Sequence, residues 1–84
     1  MTRYTVVWHQ SALEELLRLW LSAADRQSIT NAADAIDREL GRDADNKGTT
    51  ADNDLRKLIV PPLRVLFFVS EPDRLVKVTT VARN

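Results

Sequence analysis

The last thirty residues, LRKLIVPPLRVLFFVSEPDRLVKVTTVARN, constrain the fold more than any other part of the chain. β-Branched, aromatic and other apolar residues fill three short runs, Leu55 to Val60, Leu63 to Ser70 and Leu75 to Ala82, which predict three strands. Pro61-Pro62 and Glu71-Pro72-Asp73-Arg74 lie between them, residue types that tight turns use. Cations interrupt the apolar runs. An unpaired cation is costly to bury, so each is expected on whichever face of the sheet stays wet.

Side-chain alternation sorts these cations. With the second turn at residues 71–74, Ser70 pairs with Leu75, Phe68 with Lys77 and Leu66 with Thr79. One face then holds Leu63, Val65, Phe67 and Val69 with Val76, Val78, Thr80 and Ala82, which suits the side covered by helices. The other holds Arg64, Leu66 and Phe68 with Lys77, Thr79, Val81 and Arg83. A two-residue Pro-Pro turn sets Val60 opposite Leu63 and adds Lys57 to the cationic face. Arg56 then points toward the helices, where it needs an edge or a carboxylate. A one-residue change in that turn would exchange the two faces.

Upstream, Tyr4 to Trp8 reads as a first strand. Ser11 and Glu14 have capping-box spacing, and Leu13, Leu16, Leu17, Trp20 and Leu21 follow at helical intervals as one stripe toward the core. Asp25 is the expected N-cap of a second helix with Ile29, Ala32, Ala33, Ile36 and Leu40 on its apolar face and Gly41 as its stop. Residues 42–54 read as a polar loop. The expected architecture is α+β, in the order β-α-α-β-β-β: an antiparallel-rich four-stranded sheet with an N-terminal helical hairpin on one face.

Eighty-four residues suffice for one small domain, spanning 1–84. Twelve Lys and Arg balance twelve Asp and Glu, so attraction to nucleic acid or to an anionic membrane must come from a local patch. The absence of cysteine excludes disulfides, thiol catalysis and a Cys/His zinc site, and neither a metal nor a cofactor is expected. The segment MTRYTVVWHQS fits neither a signal peptide nor a membrane anchor, which makes a cytoplasmic location the expectation.

VVWHQSALEELLRLWL, as first strand and helix, and PPLRVLFFVSEPDRLVKVTTVAR, as strand, turn and strand, resemble the RelE/ParE superfamily of bacterial type II toxins, the plasmid-stabilisation proteins. The resemblance covers nearly the whole chain. For the RelE branch it implies a ribosome-dependent mRNA endoribonuclease, an mRNA interferase, with sheet cations around the scissile phosphate. Carried over by position, Arg64 matches the central strand arginine and Lys57 a cation seven residues before it. Arg83 stands where the family's Gly-x-Arg reads Ala82-Arg83-Asn84. These three are the implied catalytic residues, with Lys77 and Arg56 as binding cations. The ParE branch implies instead an inhibitor of DNA gyrase, and a degenerate member only binds its antitoxin. A cognate antitoxin is the implied partner throughout, with ribosome and mRNA, or gyrase, as target.

The chemistry of such a site needs groups that accept one proton, donate another and stabilise phosphorane charge. Arg64 suits the charge, and Lys57 or Lys77 suits proton transfer. The plainer reading of Arg64, Lys77 and Arg83 is a solvated sheet face that resists edge aggregation. His9 reads as a junction residue, and Trp8 and Trp20 as core or core-edge aromatics. Asp43 to Gly48, with Asp54 at the twelfth position, partly imitates a calcium loop. Lys47 stands where an oxygen ligand belongs and a strand follows, so a hydrated loop is expected.

Overall fold

A computed structural model of the chain describes residues 3–44, 48–52, 54–70 and 72–84. Its elements are β1 (Thr5–Trp8), α1 (Gln10–Ser22), α2 (Arg26–Asp43), β2 (Thr49–Asp52), β3 (Leu55–Val60), β4 (Leu63–Ser70) and β5 (Leu75–Arg83). The strands form one sheet in the order β1-β5-β4-β3-β2, with β1 parallel to β5 and every other pair antiparallel. The sheet therefore has five strands, not the four expected. The additional one, β2, lies within the segment read as a polar loop and pairs with β3, Thr49 opposite Lys57 and Thr50 opposite Arg56. Its sequence, TTAD, is short and polar, with no apolar alternation to betray a strand. Gly48 starts it at φ +74, and a Cβ there would run into the Lys57 carbonyl. Asp45, Asn46 and Lys47 of the calcium-like stretch, and Glu71 of the second turn, lie outside the described residues.

Both helices begin on side-chain caps. His9, rather than Ser11, is the N-cap of α1: its Nδ1 accepts from the Ser11 backbone N–H at 3.2 Å. The Ser11–Glu14 capping box does not form, because α1 has already begun at Gln10, whose Nε2 donates to Glu14 at 3.2 Å. The N-cap of α2 is Asp25, as expected, accepting from the Ser28 N–H. Gly41 does not stop α2, which runs on to Asp43 with buried Ala44 as its C-cap. At Gly41 the helix passes close to β1, and the Gly41 carbonyl accepts from the Tyr4 N–H at 2.8 Å.

Ile29, Ala32, Ile36 and Leu40 of α2 meet Leu63, Val65, Phe67, Val76, Val78 and Val81 of the sheet in one buried core. Helix α1 is rotated from its expected setting. Buried Ala12, with half-buried Leu16 and Leu19, faces β5, while Leu13, Leu17 and Leu21 are 49%, 56% and 56% exposed. The small Ala12 is what permits close approach of helix to strand, and it lies outside the leucine stripe. Trp20 bridges the hairpin: its Nε1 donates to Thr30 Oγ1 at 3.2 Å, and the Arg26 guanidinium sits 4.6 Å from its ring centroid.

Candidate functional site

Alternation in β4 makes two surfaces of one strand. Leu63, Val65 and Phe67 are fully buried, and Arg64, Leu66 and Phe68 project from the opposite face. The two-residue connection at Pro61-Pro62 puts Val60 opposite Leu63, and so Lys57 opposite Leu66 and Arg56 opposite Phe67. Lys57 thus shares the outer face with Arg64. Arg56 points to the helix side, where its Nη1 donates to the Ala44 carbonyl at 3.4 Å. That carbonyl belongs to the C-terminus of α2, whose dipole favours a cation.

The pairing of β4 with β5 holds as expected from Ser70 opposite Leu75 to Phe68 opposite Lys77, and then shifts. Phe67 is opposite Val78, but Leu66 is opposite Thr80, so Thr79 is an extra residue between them, with its Oγ1 donating to the Leu66 carbonyl at 3.4 Å. A bulge of this kind reverses side-chain parity beyond it. Val81 is therefore buried in the core, 1% exposed, and Thr80 and Ala82 turn to the outer face, the reverse of the expected assignment. By the same alternation Arg83, opposite buried Leu63, belongs to the helix side of the sheet at its exposed end. Arg83 does not join Arg64.

Lys57, Arg64, Leu66, Thr80 and Ala82 line a groove of about 190 Å³ floored by Val65. Neither a carboxylate nor an imidazole is among these lining residues. Lys77 lies on the same outer face, displaced toward the other end of β5 and opposite exposed Phe68. No acidic residue occurs from Leu55 to Ser70 or from Leu75 to Asn84, whereas Glu14, Glu15, Asp34, Asp37 and Glu39 lie on the helices. In a chain of zero net charge, the part of the outer sheet face built by β3, β4 and β5 thus carries Lys57, Arg64 and Lys77 and no acid, and can attract a phosphodiester. Among the described residues no three His, Asp or Glu side chains cluster to hold a metal ion.

A second surface feature escaped the sequence reading. Leu13, Leu16, Leu17, Trp20, Ile29 and Ala33 border an apolar cleft of about 330 Å³ between α1 and α2, with Thr30 and Asp34 at its side. Its signal in the sequence was the surplus of leucines on α1, too many for one core-facing stripe. No described helix is long and apolar enough to cross a membrane.

Compared by sequence, the chain matches no protein-family model and no curated protein. Solved structures do match. A chain of the toxin–antitoxin complex RelBE2 from Mycobacterium tuberculosis is 16% identical, aligned over 100% of this chain and 94% of that one, with a TM-score of 0.80. A chain of the chromosomal ParDE system from P. aeruginosa is 13% identical over 96% of both, with a TM-score of 0.68. The isolated RelE toxin of E. coli is 17% identical over 95% of this chain and 83% of its own, with a TM-score of 0.56. The fold of this chain is that of the RelE/ParE toxins.

Proposed function

We propose that the chain, built on this toxin fold, is the toxin half of a bacterial type II toxin–antitoxin pair and cuts mRNA at the ribosome. The observation that carries the reading is that Lys57 and Arg64, from two different strands, border one groove with no acidic residue among its lining side chains. The RNA 2′-hydroxyl attacks the adjacent phosphorus. An O2′–P bond forms, the P–O5′ bond breaks, and the products are a 2′,3′-cyclic phosphate and a 5′-hydroxyl end. Arg64 holds the phosphate oxygens with its fork of donors and stabilises the added charge. Lys57, as an ammonium, donates the proton to the leaving 5′-oxygen. The groove's own side chains offer no ready acceptor for the 2′-hydroxyl proton, which agrees with an activity completed by a second macromolecule.

An antitoxin segment is the natural occupant of the α1–α2 cleft in this reading. An amphipathic helix laid along Leu13, Leu17 and Leu21 would cover the apolar surface that the core leaves out. The protein is expected in the cytoplasm, where such targets reside.

Expression under tight control, with mRNA ends mapped in translating extract, tests the enzyme. Cleavage should appear and fall by about 10²–10³-fold in Arg64→Ala, the scale of losing a principal charge-stabilising donor. Arg83→Ala should stay within a few fold of the parent. The position of Arg83 favours a second reading, because it leaves fewer cations at the groove than Arg64, Lys57 and Arg83 together would supply. In that reading the chain inhibits DNA gyrase without cutting RNA. Growth arrest with intact mRNA and impaired supercoiling would select it.

A further inference from the structure

We propose that Phe68, with Lys77 beside it, is a base-stacking subsite for single-stranded RNA, next to the phosphate-binding groove at Lys57 and Arg64. The proposal rests on the RNA-directed reading above and names a contact for the nucleotide beyond the scissile phosphate. The chain has two consecutive phenylalanines, and the sheet spends them differently. Phe67 is the largest fully buried side chain of the core, and Phe68 stands on the outer face at 42% exposure.

A single exposed aromatic is common on protein surfaces, so exposure by itself assigns nothing. What distinguishes Phe68 is its setting. Lys77 is directly opposite it on β5, and Leu55 is directly opposite it on β3. Leu66 and Arg64 follow on the same face of β4, with Lys57 across from Leu66. β3, β4 and β5 carry no acidic residue, and the acid nearest in register is Asp52 of β2, opposite Leu55. Among the described residues the cation seated over a ring is Arg26 over Trp20, on the helical side.

An aromatic face set among cations along an open groove is how proteins bind single strands without reading a fixed sequence. Arg64 and Phe68 are four residues apart on one strand, about 13 Å at the usual rise. That distance suits a strand whose phosphate is held by Arg64 and Lys57 while a base a short step further along lies on Phe68. Lys77 then meets the phosphate flanking the stacked base. Duplex RNA cannot use this surface in the same way, because its bases are already stacked and its grooves do not present their faces. The occupant is therefore single-stranded RNA, and the contact is tolerant of base identity.

The test uses the full chain and a fluorescently labelled single-stranded RNA oligonucleotide with 2′-O-methyl riboses, which can be bound but not cut. Binding is followed by anisotropy over a range of salt. Phe68→Ala should weaken binding by about tenfold, the effect of losing one stacked base. Lys77→Gln should weaken it and lower the salt slope by about one phosphate contact. Phe68→Trp should bind like the parent and show tryptophan quenching on addition of RNA. Unchanged affinity in Phe68→Ala alongside weakened binding in Arg64→Gln overturns the subsite and leaves the RNA-directed reading standing. Unchanged affinity in both overturns the subsite and the reading together. Loss of antitoxin capture in Phe68→Ala, with RNA affinity intact, also overturns the subsite and reassigns the ring to the protein partner.

Discussion

Arg64 and Ala82 are register partners across β4 and β5. That pairing puts Ala82 and Thr80 on the cationic face, sends Val81 into the core and separates Arg83 from Arg64. The extra residue that causes it, Thr79, thus decides the composition of the groove.

The bulge is testable through stability alone. Val81→Thr places a hydroxyl at a position 1% exposed and should cost about 1–3 kcal/mol in urea unfolding. Thr80→Val, on the outer face, should stay within about 0.5 kcal/mol of the parent. An unbulged pairing predicts the opposite order for these two conservative substitutions.

The rotation of α1 makes a similar contrast. Leu17→Gln, at a side chain 56% exposed, is expected to shift stability by no more than about 0.5 kcal/mol. Ala12→Leu should cost about 1–3 kcal/mol or more, because Ala12 is 1% exposed where the helix meets β5. If the leucine stripe faced the core instead, Leu17→Gln would be the damaging change.

Capping by Asp25 should leave a signature in acid. Hydrogen bonds from the Ser28 hydroxyl, and then from the Ser28 backbone N–H, hold the Asp25 carboxyl below its ordinary value of 3.8. A carboxyl whose value is lowered by folding stabilises the protein above its unfolded value, and the contribution is lost as pH falls through the folded one. Asp25→Asn keeps an acceptor at the cap but cannot ionise. The parent should melt higher than this variant at neutral pH, and the gap in Tm should close below about pH 3.8.

Gly48 carries the turn into β2. At φ +74, with a Cβ directed at the Lys57 carbonyl, Gly48→Ala should destabilise by about 1–3 kcal/mol. Amide exchange should accelerate first in β2 and along its partner β3. A neutral substitution here would mean that β2 is not held on the sheet in solution.

Much of this molecule was legible in its residues. The three C-terminal strands, the two-residue Pro61-Pro62 connection and the apolar face of α2 all follow from alternation, helical spacing and turn chemistry, which act over a few neighbouring residues. The positions of Lys57 and Arg56 on opposite faces followed too, since β3 and β4 pair without a slip. Less visible were β2, whose TTAD shows no apolar alternation, and the choice of faces on α1, where leucines cover more than half the helix circumference and several rotations satisfy the pattern.

The amino-acid sequence by itself determined an α+β order with a helical hairpin and a row of cations set into apolar strands. Tertiary structure alone decided that Arg83 does not join Lys57 and Arg64. Both Thr79-Thr80 and Val81-Ala82 are compatible with either face of a strand, so local preference does not place the bulge. It is set by the demand that Val78 and Val81 both reach the core opposite Phe67 and Val65, a non-local packing condition that brings Thr80 and Ala82 to the groove bordered by Lys57 and Arg64 and turns Arg83 away.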